Sequence, residues 1–369
     1  MLGLRDWLAE LGVTVVGMES TGVYWKPVYY VLEDDFETQL LNAQHLHHVP
    51  GRKTDVADAA WIAELVEFGL VRASFVPPRP IRQLRDLTRY RKSVIEERAR
   101  EVQRLHKVLE DAGIKLAGFT SKVLTKSGRA MLDALVAGGR DTAALAELAK
   151  GRMRPKIPQL REALEGRFSE HHALIVAEML ARVDHADATI QRLSERIDEV
   201  ISPFVADVEL LRTIPGVDRR TAEVIIAEIG ADMGRFPSAG HLASWAGICP
   251  GNNESAGKHH SGRTRKGSKW LRKALVEAAH AAARSKNTYL SAHYHRIRGR
   301  RGPKKAAVAT GHSILVIAYH LLERREPYSD LGADYFVERQ SKQSYQQRLI
   351  RQLERMGNKV TVEPLPNAA

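Results

Sequence analysis

Between Ser255 and Leu322 the chain carries fifteen lysines and arginines but a single acid, Glu277. That window nets +14 while all 369 residues net +12, so everything else together sums to about −2. Like charges cannot be packed together away from water without partners. Any fold of this chain must therefore spread the segment over one localised, solvent-facing surface. A surface of that kind draws a polyanion, with nucleic acid the first candidate and a merely solubilising basic segment the bland alternative.

The length allows two or three domains, and 44% hydrophobic content is enough for ordinary cores. A single cysteine, Cys249, excludes an internal disulfide framework and fits a reducing compartment. No wholly apolar run reaches the roughly 18 residues of a membrane span; the best candidate, Ser313–Leu322, is short and contains His320. Asp6 and Glu10 interrupt what would be the apolar core of a signal peptide. With a pI near 9.7, the class expected is a soluble, cytoplasmic nucleic-acid protein.

Residues 1 to about 76 alternate β-like and helical runs. Val13–Met18 has the continuous apolar character of a strand buried on both faces. Tyr24–Leu32 predicts a helix, Thr38–Asn42 a second strand and Thr54–Phe68 a helix capped by Thr54. Leu70–Val76 is a candidate third strand before the breaker Pro77-Pro78-Arg79-Pro80. The pattern is half of a parallel sheet with crossover helices. Residues 81–111 form a charged helix in which Ile81, Leu84, Ile95, Val102, Leu105 and Leu109 follow a 3–4 repeat. Thr88, Arg91 and Arg98 interrupt that seam. Residues 128–150 are helical, Gly151–Pro158 a linker, and a second long helix at about 160–200 folds back on the first. The pair is either a coiled-coil arm joining subunits or an ordinary bundle. Residues 207–230 have the pattern of a helix-hairpin-helix, with Gly216 in a hairpin that either grips a phosphate or simply packs. Helix Ala239–Ala246, a loop Gly247–Gly262, a basic helix Lys266–Arg284, a basic loop Arg296–Lys305 and an apolar helix follow.

Three carboxylates stand out. Glu19 follows the first strand, at the edge where open α/β sheets place ligands. Asp55 and Asp58 share one face of one helix. Such oxygen ligands suit Mg²⁺ or Mn²⁺, and equally they complement a helix N-terminus. Ser255 is a candidate nucleophile on a phosphodiester, with Lys258, Arg263, Arg265 and Lys266 near in sequence to offset the charge; the plain alternative is a turn serine. Lys269, Arg272, Lys273, Arg298, Arg300, Arg301, Lys304 and Lys305 complete the candidate nucleic-acid surface. His45, His47, His48, His259, His260, His293 and His295 lack zinc spacing and read as solvated or phosphate-facing. Trp25, Trp61, Trp245 and Trp270 fall within helices and are expected in the core.

The segments MESTGVYWKPVYYVLE (18–33), PGRKTDVADAAWIAELVEFGLV (50–71) and IRQLRDLTRYRKSV (81–94) resemble bacterial insertion-sequence transposases with a DEDD site, the IS110 family. The stretch from LRTIPGVDRR to GSKWLRKAL, and the tail PYSDLGADYFVERQ, resemble the same family. The resemblance implies an α/β RuvC-like (RNase H-like) nuclease domain over 1–78 and a helical coiled-coil arm over 79–205. It implies a mostly α transposase domain over 206–330, with a tail over 331–369. It also implies a recombinase guided by a structured RNA of its own element, acting on DNA as a homodimer or larger homo-oligomer. Glu19, Asp55 and Asp58 match three of the family's four acids and Ser255 its serine. The family's first aspartate belongs to an opening strand, whereas here Asp6 sits in an amphipathic helix and only eighteen residues precede Glu19. The expectation is therefore an incomplete nuclease fold, from a truncated gene or a misassigned start, with impaired metal binding. A non-catalytic nucleic-acid-binding remnant and a junction nuclease without a serine step are the other functional readings.

Overall fold

A computed structural model describes residues 1–42, 54–71, 73–118, 123–249, 253–255, 258–261, 264, 266–338 and 342–362. The chain divides into two compact units, Met1–Pro78 and Arg79–Ala369.

In the first unit, α1 (Leu2–Glu10), β1 (Val15–Glu19), α2 (Trp25–Leu32), β2 (Glu37–Leu41) and α3 (Asp55–Glu67) follow in order. The strands pair in parallel, from Val15 opposite Glu37 to Glu19 opposite Leu41. Among the described residues the predicted third strand reduces to one antiparallel bridge, Ala73 to Leu41, with the Ser74 amide donating to the Leu40 carbonyl at 2.6 Å. A two-stranded sheet cannot bury both faces of a strand, and β1 is half-buried, with Val15 exposed, instead of enclosed. The core is small: Leu32, Phe36, Leu40, Leu41 and Leu65. On α3 the Thr54 hydroxyl accepts from the Ala57 amide, which fixes the helix start as its sequence predicts.

The second unit is mostly helical. Its spine is α4 (Arg79–Asp111) and α8 (Glu170–Val200); at a rise of 1.5 Å per residue, α4 is about 50 Å long. The two run antiparallel within the chain, as the pairs Arg98–Asp187 (2.9 Å) and Arg91–Ser194 (3.5 Å) establish. At their far end α5 (Lys126–Val136), α6 (Thr142–Glu147) and α7 (Ile157–Ala163) close a core containing Leu105, Leu109, Met131, Leu132, Leu160, Phe168 and Leu180. The predicted linker at 151–158 is instead a 3-10 turn leading into α7.

Two of the interruptions in the α4 seam have a physical cause. Thr88 and Arg91 are buried because here α4 packs on α10 (Arg219–Ile229) as well as on α8. Arg91 donates to Glu223 at 2.6 Å, both nearly excluded from solvent. Arg89 grips Glu228 with two bonds of 2.7 and 2.8 Å. Arg85 donates to the Ala227 and Glu228 carbonyls, satisfying the end of α10. Arg98, the third interruption, faces Asp187 on α8.

Helices α9 (Val205–Arg212), α11 (Ala239–Trp245), α12 (Lys269–Ala282), α13 (Tyr289–Arg301) and α14 (Pro303–Arg324) build the remaining core; α15 (Tyr335–Glu338) and α16 (Lys342–Arg355) end the chain. Gly216, between α9 and α10, has φ +88°, and a Cβ there would fall 2.4 Å from the Ala278 carbonyl oxygen of α12. Close helix approach is sufficient reason for glycine at this hairpin. The stretch 296–305 is not a loop: α13 ends at Gly302 with φ +82°, and α14 begins at once with Pro303. Helix α14 is long and apolar enough to cross a membrane by composition, unlike the shorter span expected, but 56% of that apolar stretch is buried inside the protein. Ile314, Leu315, Ala318 and Leu322 face the core, and Tyr319 donates to the Phe236 carbonyl at 3.1 Å.

Removing Arg89, itself half-buried, leaves the buried Glu228 carboxylate without its bidentate cation. Arg89→Met is expected to lower the unfolding free energy by about 3 kcal/mol in chemical denaturation, and Arg89→Met with Glu228→Leu to recover at least half of it. Additive losses in the double variant would show that the pair is not coupled.

Candidate nucleic-acid interface

The three acids of the first unit occupy two elements. Glu19 closes β1 and is half-buried; Asp55 and Asp58 lie in the first turn of α3, Asp55 exposed. Helix α3 meets the strand further along, where Val66 and Ile62 pack against Gly17. Among the described residues no three His, Cys, Asp or Glu side chains form a group able to hold a metal ion. Glu19, Asp55 and Asp58 therefore do not converge on a common cation. Ligands of such a site are drawn from several strand ends, and among the described residues this sheet has two strands. As placed, these residues do not fit Mg²⁺ or Mn²⁺.

In the second unit the stretch predicted as a loop holds a β-hairpin, with β3 (Asn253–Ser255) antiparallel to β4 (Lys258–Ser261). Ser255 ends β3 and pairs in register with Lys258, while His259 and His260 lie in β4. Arg263, Arg265 and His45, His47 and His48 lie outside the described residues. The chain returns from the hairpin at fixed points. Arg272 donates to the Thr264 hydroxyl at 2.8 Å. Gly267 runs so close to α11's end that a Cβ would sit 2.2 Å from the Ala246 carbonyl oxygen. Ser268 then caps α12, accepting from the Leu271 amide and donating to the buried Glu228 carboxylate at 2.9 Å.

The predicted cations separate into two groups. Some are engaged internally: Lys273 binds Glu96 at 2.8 Å and holds that carboxyl below its ordinary pKa through the hydrogen bond. Glu277, the sole acid of the basic window, binds Lys92 at 2.7 Å. Lys269 lies over the Trp270 ring at 5.0 Å. The other group is exposed: Arg298, Arg300 and Arg301 on the last turn of α13, then Lys304 and Lys305 on the first turn of α14. Among the described residues no acid pairs with any of these five. Lys266 is exposed as well.

Sequence reasoning missed Arg85, Arg89, Glu223 and Glu228, which join α4 and α10 and, through Ser268, α12. It also misjudged His293, which is half-buried in a ring stack, with burial pushing its pKa below the ordinary value. His295, by contrast, is exposed beside the Ala283 carbonyl at 3.1 Å. The four tryptophans expected in the core are half-buried.

Comparison with known proteins places both ends of the chain. Residues 208–295 match the family model described as "Transposase IS116/IS110/IS902 family". Residues 1–114 match a DEDD transposase model of the IS110 type. Among individual relatives, the "Pilin gene-inverting protein" of Moraxella bovis is 31% identical over 152 residues, 40% of this chain and 47% of the relative. The "Mini-circle putative transposase for IS117" of Streptomyces coelicolor is 30% identical over 117 residues, 32% of this chain and 27% of the relative. An "Insertion element IS110 uncharacterized 43.6 kDa protein" of the same species is 38% identical over 73 residues, 20% and 18% of the two chains. The matched stretches thus span less than half the length of these relatives. Its N-terminal and C-terminal segments are thus each similar to transposases of the IS110 type.

Proposed function

We propose that this chain is a DNA recombinase of a bacterial insertion sequence, acting in the cytoplasm, with Ser255 as its nucleophile. A guide RNA shares the basic surface of the second unit, and the α4–α8 arm brings copies of the chain together as a homodimer or larger assembly. The observation that carries this reading is the acid-free corner of Arg298, Arg300, Arg301, Lys304 and Lys305. A turn of helix that ends in three arginines and resumes with two lysines provides for phosphate groups and not for a protein partner's carboxylates alone.

The chemistry follows from the hydroxyl. Ser255 Oγ attacks phosphorus, its proton is released, and a sugar hydroxyl leaves. The phosphodiester bond is conserved as a serine–phosphate linkage until a second hydroxyl displaces the serine. Cations close in sequence, Lys258, Arg263, Arg265 and Lys266, offset the charge that builds on the non-bridging oxygens. Glu19, Asp55 and Asp58 remain the family-implied acids that would hold Mg²⁺ or Mn²⁺, although among the described residues no three such side chains are gathered. That observation favours a second reading, a nucleic-acid-binding protein that does not cut.

The two readings part on covalent capture. With a duplex carrying the element's ends, and its RNA, Mg²⁺ and Mn²⁺ supplied, the first predicts a denaturation-resistant protein–DNA adduct that Ser255→Ala abolishes; an adduct of undiminished yield in that variant removes Ser255 from the role. The corner has its own signature. Alanine at all five positions is expected to flatten the slope of log affinity against log salt by about 4.5, at roughly 0.9 for each phosphate no longer neutralised. An unchanged slope would place the phosphates elsewhere.

A further inference from the structure

Tyr289, His293 and Arg296 stand at i, i+4 and i+7 of α13 and so share one face of it. The tail helix α15 covers them. The Phe336 ring lies nearly parallel to Tyr289 (centroids 5.2 Å apart, 22° between planes) and to His293 (5.7 Å, 28°). The Arg296 guanidinium carbon stands 4.1 Å from the Phe336 ring centre. The neighbouring Tyr335 meets Tyr289 edge-on at 5.1 Å and 86°. One ring is thus held flat against two others with a cation nearby, the arrangement by which proteins hold unpaired bases.

Three further observations bear on what this face is for. The next turn of α13 begins the acid-free corner, where Arg298, Arg300 and Arg301 are exposed. Inside the stack, the His293 Nδ1 atom is buried without a hydrogen-bond partner, and its Nε2 lies 3.4 Å from the Ser313 hydroxyl, which leaves the ring face to stacking. The tail is fastened upstream of α15, where Asp330 accepts from the Tyr289 amide at 2.9 Å, and it turns at Gly332 with φ +80°. α15 can leave the face without disturbing that anchor.

We propose that Tyr289, His293 and Arg296 form a stacking site for an unpaired base of a single-stranded nucleic acid, which Phe336 occupies as a displaceable plug. The inference rests on the proposal that the second unit binds nucleic acid.

The test uses the full chain and single-stranded oligonucleotides, DNA and RNA, carrying a fluorescent adenine analogue, with duplex DNA alongside. Phe336→Ala is expected to raise single-strand affinity about tenfold, with stronger quenching of the analogue, as stacking contributions of this kind allow. Arg296→Ala added to it should cancel the gain, and duplex affinity of the Phe336→Ala protein should stay within about twofold, since the phosphate backbone dominates duplex binding. Phe336→Leu keeps an apolar cap over Tyr289 without the flat ring and should move both readouts in the same direction. A gain on one sugar type alone identifies whether DNA or RNA supplies the base. Single-strand affinity and quenching equal to the unaltered protein in both variants, with duplex binding intact, would overturn the stacking site alone. Failure of the unaltered protein to bind any probe would overturn the nucleic-acid proposal with it.

Discussion

One carboxylate holds three helices of the second unit in register. Glu228 is buried at the end of α10, accepts two bonds from Arg89 of α4 and a third from Ser268, the capping residue of α12. A buried charge is tolerated only when its oxygens are fully engaged, and any displacement of one partner leaves a costly remainder. The consequence is directional as well as energetic. By fixing Ser268, the network fixes the first turn of α12 and the point at which the chain returns from the hairpin bearing Ser255. Gly267 reinforces this, since the approach to the Ala246 carbonyl admits no side chain.

The charge asymmetry is sharper in three dimensions than along the chain. The only acid of the basic window, Glu277, is answered at the surface by Lys92, and Lys273 by Glu96. Five of the exposed cations without an acid partner among the described residues cluster where α13 gives way to α14, while Lys266, Arg284 and Lys286 are exposed elsewhere in the window. Net charge alone would have spread the expected footprint evenly along it. Clustered charge steers and binds a phosphate backbone better than the same charge dispersed.

Much of this was legible in the residues. Thr54 followed by acids marked the start of α3, and the 3–4 repeat from Ile81 to Leu109 marked α4, whereas the second long helix, expected at about 160–200, begins only at Glu170, after the separate α7. What failed did so for identifiable reasons. Leu70–Val76 is apolar enough for a strand, but the prolines that follow end it, and among the described residues it makes one bridge, at Ala73, with the Ser74 amide beside it bonded to Leu40. Arg91 looked like a flaw in a coiled-coil seam because its partner, Glu223, is 132 residues away. The segment 296–305 looked like a loop because it is polar, although Gly302-Pro303 is the combination that ends one helix and opens the next. The acids Glu19, Asp55 and Asp58 have the composition of a metal site and not its geometry, because one strand edge and one helix turn do not surround an ion.

The central claim is that the α13–α14 corner is where nucleic acid lies. Photochemical cross-linking of the full chain to DNA and to RNA, followed by mass spectrometric mapping of the modified peptides, addresses it without substitution. The account predicts that adducts concentrate in peptides spanning 289–305. Adducts confined to the α4–α8 arm, with that corner unmodified, would contradict it.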